Sequence, residues 1–204
     1  MSQCQICNNR KARRACPAIG GLICPQCCAT DREEKLDCPY ECGYLAESRE
    51  HSKERALPDP FPNSDIRLSE EVIAKIDNLA ALLLYETGVA AKADPAMLDS
   101  DAGEAIEAII KTYRTARTGL IYESRAGNPY AARLQDRLTA AVRELDTRYQ
   151  QAQSHPIPES MLLASFVFMQ RLLLSVQNSR SRGRAFLHHV RSLSVDSDRA
   201  TRLG

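Results

Sequence analysis

The stretch "CPQCCATDREEKLDCPYEC", Cys24 to Cys42, holds five of the chain's eight cysteines. Cys4, Cys7 and Cys16 lie just upstream, and no cysteine follows Cys42. Thiols gathered into the first fifth of a chain act together, either as disulfides or as metal ligands. The spacing favours metal. Cys4-x2-Cys7 and Cys24-x2-Cys27 are two knuckles separated by sixteen residues, within the interval typical of paired-knuckle zinc sites. Two intervening residues let the chain turn tightly enough for both sulfurs to reach one ion at about 2.3 Å.

Cys16, Cys28, Cys38 and Cys42 make a second set of four. Cys27 and Cys28 are adjacent, and in extended backbone neighbouring side chains point to opposite sides. The pair can therefore serve two ions and weld two sites into one unit. The spacing leaves open which of them serves which ion, because Cys24-x3-Cys28 is also a workable knuckle. His51 is a substitute ligand should one thiol prove free. Eight thiolates already fill two shells, however, and a histidine in the charged run "ESREHSKER" reads more simply as exposed. A four-thiolate shell leaves no open position, which makes such a site structural rather than catalytic. Some fifty residues build little core unaided, and a structural zinc supplies folding free energy on the order of 10 kcal/mol. Two zinc ions are expected.

The first residues, "MSQCQICNNRKARR", contain no apolar run of the kind a secretory leader needs. The longest apolar run, "MLLASFVFM" from Met161 to Met169, falls short of the ~18 residues of a membrane span. The expectation is a cytoplasmic protein, and a reducing compartment again favours metal over disulfides.

The rest of the chain divides cleanly. Residues 1–55 are the Cys-rich finger. Residues 56–68 include "LPDPFPNSD", whose prolines forbid a continuous helix and read as a linker. Residues 69–195 carry helical periodicity, and 196–204 are expected to form a tail. Ser69 is an N-cap and Gly88 a stop for a first helix with Val72, Ile73, Ile76, Leu79, Ala80 and Leu83 on one face. A second begins near Ser100 and carries Ile106, Ile109, Ile110, Tyr113, Leu120 and Ile121. Gly127-Asn128-Pro129 then breaks the chain, and a third helix from about Tyr130 shows Leu134, Leu138, Ala141, Val142, Leu145 and Tyr149. A fourth, Glu159 to about Val176, is apolar nearly all round from Met161 to Val167 and is expected at the centre. A fifth places Phe186, Val190 and Leu193 at i, i+4 and i+7. The fold class is mainly α, a small zinc-stabilised finger followed by a four- to five-helix bundle.

The order of knuckles resembles the two-zinc fingers of the HIT and MYND type. Both begin with Cys-x2-Cys, and MYND fingers later use Cys-x3-Cys followed by His, as in "CPYECGYLAESREH". The likeness spans residues 4–51. It departs where those fingers close with a cysteine after the histidine, and in the wide Cys16–Cys24 spacing. It implies a protein-interaction module. The whole chain is similar to a bacterial family with a Cys-rich N-terminus and a helical C-terminal region.

Lys and Arg outnumber Asp and Glu by 7 to 2 in residues 171–204, against 9 to 8 in residues 1–55 and 11 to 16 between. Arg180, Arg182, Arg184 and Arg191 near the C-terminus, with Arg10, Lys11, Arg13 and Arg14 between knuckles, are candidate phosphate contacts. Neither cluster is interleaved with aromatics and there is no Trp, which disfavours a base-stacking platform. No nucleophile elbow, P-loop, dinucleotide fingerprint or His-Glu-x-x-His occurs. His188 and His189 diverge by ~100° on a helix and do not chelate one ion together. The expectation is therefore a non-enzymatic zinc-binding protein acting as a protein-interaction adaptor. Nucleic-acid binding is the first alternative and thiol redox chemistry at Cys27-Cys28 the second.

Overall fold

The computed structural model describes residues 2–51, 61–116 and 122–202, with 194–202 described by their backbone alone. The finger opens with a hairpin in which β1 (Arg14–Cys16) pairs antiparallel with β2 (Gly21–Ile23), Ala15 facing Leu22. Gly20 makes the turn possible, because its φ of 61° lies in the left-handed region that side chains resist. Two short helices follow, α1 (Pro25–Asp31) and α2 (Gly43–Glu50). This part has a small core of its own, in which Ile23, Leu36 and Leu45 pack among the buried cysteines.

The helical body comprises α3 (Glu70–Ala93), α4 (Asp99–Ala116), α5 (Pro129–Gln153), α6 (Glu159–Val176) and α7 (Ala185–Arg202). The four long helices α3 to α6 pack as a ring in the cyclic order α3–α5–α4–α6, and α7 lies mainly on α3 while touching α6 and α4. Fully buried Leu83, Ile106, Leu134, Leu138, Phe166, Phe186 and Val190 make the common core. Ser69 caps α3 as expected, its Oγ accepting from the Val72 N–H. Asn128 caps α5 with Pro129 in the first turn, where proline lacks only a donor the helix does not use.

Several boundaries differ from the sequence reading. Gly88 does not stop α3. It is buried inside the helix, so packing outweighs the roughly 1 kcal/mol that a helical glycine costs. The helix ends instead before Asp94-Pro95, where the proline disfavours helical backbone for its predecessor. Residues 196–202 continue α7 and are not a tail. Leu193 is exposed whereas Phe186 and Val190 are buried. Leu120 and Ile121 lie outside the described residues.

The all-round apolarity of α6 has a specific cause. Three sides meet α3, α4 and α7, and a fourth is crossed by residues 61–68. There Arg171 donates to the carbonyls of Asn63 and Ile66 and lies over the Phe61 ring, while Gln170 accepts from Asn63. That half of the expected linker is thus fixed to the body; residues 56–60 lie outside the described residues. By length and composition α6 is also apolar enough to cross a membrane, although half of it is buried within the protein.

Candidate metal centre

The first knuckle is a tight turn held by Cys4, whose N–H donates to the Arg10 carbonyl and whose carbonyl accepts from Asn8, each at 2.8 Å. The second knuckle is the start of α1. Cys24 is its N-cap residue, and its Sγ accepts from the Cys27 N–H at 3.4 Å. The two turns bring the Sγ atoms of Cys4, Cys7, Cys24 and Cys27 within 4.8 Å of one another, the one such group of metal-ligating side chains among the described residues. All eight cysteines are free thiols. Four convergent, mostly buried sulfurs are compatible with a tetrahedral metal site such as zinc.

The electrostatics of the set suit a cation. Burial opposes ionisation of Cys4, yet backbone N–H groups of Cys7, Cys24 and Ile6 outweigh it and bring its thiol down to about 6. Cys27 goes the other way. Burial and its sulfur neighbours Cys24, Cys7 and Cys4 push it up to about 12. Crowded thiols cannot all ionise without a positive charge among them. Arg10 supplies part of it, with its guanidinium hydrogen-bonded to Cys24 and held further in the field of Cys7; its own pKa rises accordingly.

Cys16, Cys28, Cys38 and Cys42 are all buried and line one cavity of about 10 Å³ with Arg14 and Arg32. Both guanidiniums donate to Cys28 Sγ, at 3.3 and 3.7 Å. Burial raises the Cys38 thiol, and the nearby Cys42 and Cys16 add to the rise. Cys28 therefore lies outside the sulfur group that Cys27 joins. The reason is helical rather than extended backbone, since both lie in α1, where neighbours diverge by ~100°. Cys24 joins Cys27, which removes the Cys24-x3-Cys28 alternative. His51 is exposed and is the C-cap residue of α2. The raised Cys27 pKa runs opposite to that of an activated redox thiol.

The C-terminal arginines are placed quite differently from the expected phosphate contacts. Arg184 is 4% exposed. Its Nε donates to Met97 O, Nη2 to Ala96 O, and Nη1 to both Asp37 and Cys38 O. Arg180 donates to the carbonyls of Ala29, Thr30 and Arg32 at the end of α1. Arg191 lies 3.8 Å from the centre of the Tyr40 ring. Arg182 is exposed, 3.8 Å from Asp37. Of this cluster Arg184 is corrected outright, because a guanidinium enclosed by protein carbonyls is not offered to a phosphate. Within the first cluster Arg14 is turned to Cys28 and stacks on Tyr44, whereas Lys11 and Arg13 are exposed.

The residue that sequence reasoning missed is Glu33. It is 1% exposed and has a φ of 51°. Its Oε1 accepts from Arg49 and from the Arg184 N–H, its Oε2 from Asn178, and its carbonyl from the Arg182 N–H. Nothing in "TDREEKLD" distinguishes Glu33 from half-buried Glu34, since the burial is set largely by partners about 150 positions away.

These features define a cysteine-rich, metal-compatible finger docked on a helical bundle. Compared with protein-family models, curated proteins and solved structures, the chain matches none.

Proposed function

We propose that the chain is a non-enzymatic zinc-binding adaptor of the cytoplasm. One zinc sits on Cys4, Cys7, Cys24 and Cys27, a second on Cys16, Cys28, Cys38 and Cys42, and the rigid knob so formed captures a protein partner. The observation that carries this reading is where apolar surface is left uncovered. Of six large hydrophobic residues exposed among the described residues, Ile6, Ile19 and Leu22 belong to the finger, at 37, 41 and 41%. The Gln5 N–H donates to Leu22 O, so the Ile6 segment runs beside β2, and Ile19 lies in the turn of the same hairpin. Covering the exposed part of such side chains contributes roughly 0.5–1 kcal/mol each, and a scaffold already rigid loses little entropy on binding. Arg10, Lys11 and Arg13 flank them, and no Asp or Glu precedes Asp31, which favours a partner with acidic groups around its apolar contacts.

The test compares crosslinked partners of the wild type with those of an Ile6→Ser/Ile19→Ser/Leu22→Ser variant that retains its zinc and its helical circular dichroism. A protein lost specifically from the variant supports the reading. Identical partners on both overturn it.

The exposed basic residues Arg10, Lys11 and Arg13 also support nucleic-acid binding as a second reading. Three phosphate contacts give a logarithmic salt slope of about −2 to −3. Binding that ignores salt, or no retardation of DNA or RNA at low salt, ends that reading.

A further inference from the structure

We infer that the second ion, on Cys16, Cys28, Cys38 and Cys42, latches the finger to the helical body, so that its occupancy governs the docking of α7. This rests on the second zinc proposed above. Apart from Arg180 on the Ala29 and Thr30 carbonyls of α1 and Arg49 of α2 on the Arg184 carbonyl, the bonds from finger to body come from a short stretch. Glu33 receives Asn178 and the Arg182 and Arg184 N–H groups; Asp37 and Cys38 O receive the Arg184 guanidinium; Glu34 receives Ser181 Oγ. That stretch is the loop between α1 and α2. It has few internal bonds, chiefly three N–H groups gathered on Asp31 O, and it includes a left-handed Glu33. Cys28 precedes it, and Cys38 and Cys42 close it. Drawing these three sulfurs together onto one ion fixes the loop, and with it the carboxylate and carbonyls that receive α7. On the opposite side Asp99 caps the start of α7, accepting from the Phe186 and Leu187 N–H groups, while Arg184 reaches Ala96 and Met97. The first turn of α7 is therefore clamped between the 32–42 loop and the 94–98 loop with the start of α4. The first sulfur set ties together residues 4–27, which form the hairpin end of the finger. The two ions have different tasks, one shaping the outer surface and the other holding the body.

Hydrogen exchange by mass spectrometry on the zinc-loaded full chain, with zinc content measured in parallel, tests this division. Cys38→Ser/Cys42→Ser should lose one of two zinc ions, and amides in 184–193 should exchange about tenfold faster. Cys4→Ser/Cys7→Ser should also lose one ion while 184–193 keeps its protection. Unchanged protection in the first variant, or equal loosening in both, overturns the latch. A wild type that carries a single zinc overturns the second-ion reading and the latch together; two ions with unaltered exchange overturn the latch alone. If Cys38→Ser/Cys42→Ser loses its helical signal altogether, the reciprocal arm decides, because coupling between sites is symmetric. Glu33→Gln, with every cysteine intact, should speed transfer of one zinc, not both, to a chromogenic chelator by about tenfold. Release at the wild-type rate overturns the inference.

Discussion

Replacing Arg184 by methionine separates the two kinds of bond that hold the finger in place. The guanidinium forms an ion pair with Asp37 at 2.7 Å and donates to three carbonyls, Met97 at 3.0 Å, Ala96 at 3.3 Å and Cys38 at 3.4 Å. The Asp37 side chain is 57% exposed, so water replaces the lost cation there and the pair itself is worth less than about 1 kcal/mol. The Met97 and Cys38 carbonyls are enclosed, and the Ala96 carbonyl is partly so. Losing one good bond from a charged donor costs about 1.5–3 kcal/mol, and the two longer ones add a fraction each. Methionine keeps the aliphatic stem packed and recovers a little. The expected loss is about 2–4 kcal/mol for Arg184→Met and under about 1 kcal/mol for Asp37→Asn. Urea unfolding followed by circular dichroism, at a fixed free-zinc concentration so that ion binding does not shift the midpoint, measures both. Equal losses in the two variants, or a methionine variant as stable as wild type, would refute the reasoning that buried carbonyls rather than the ion pair carry the junction.

Purified protein should contain two zinc ions per chain and react with no thiol reagent while native; one reactive set of four thiols would remove the second site. Zinc on the first set should be held at neutral pH and released progressively on acidification, as protons compete with the ion for the thiolates. A thiolate whose pKa is lowered favours the folded, ligating form at high pH and gives up that contribution as protons return through the lowered value; release already complete at neutral pH would contradict this. Phe166→Ala, at a site with no exposure, should cost about 3–5 kcal/mol in the same urea assay, and a loss below about 1 kcal/mol would mean that the ring is not in the common core.

Helix positions were legible because a 3.6-residue stripe and its caps are local signals. Ser69 is three residues from the N–H it caps, and Leu134, Leu138 and Val142 report one face without reference to the rest of the chain. The pairing of Cys4-x2-Cys7 with Cys24-x2-Cys27 was legible for the same reason, since a knuckle is a local turn. What failed was long-range. Arginine in a polar stretch looks the same whether it faces solvent, as Arg182 does, or three carbonyls and a carboxylate, as Arg184 does. Gly88 failed in the same way, because the intrinsic preference of one residue was outweighed by neighbours on other helices. The hairpin at Gly20-Gly21 carried a turn signal, but its strands are only three residues each, too short for alternation to register.

Glu33 and its donors on Asn178, Arg182 and Arg184 stand 145 to 151 positions apart in the chain. On a ribosome the finger emerges ahead of the bundle, yet the residues that seat it are made only after nearly all of the bundle. The clasp is therefore the last joint to close during synthesis. A product cut short before residue 178 would present the finger with its buried carboxylate uncovered, joined to helices that lack their closing member.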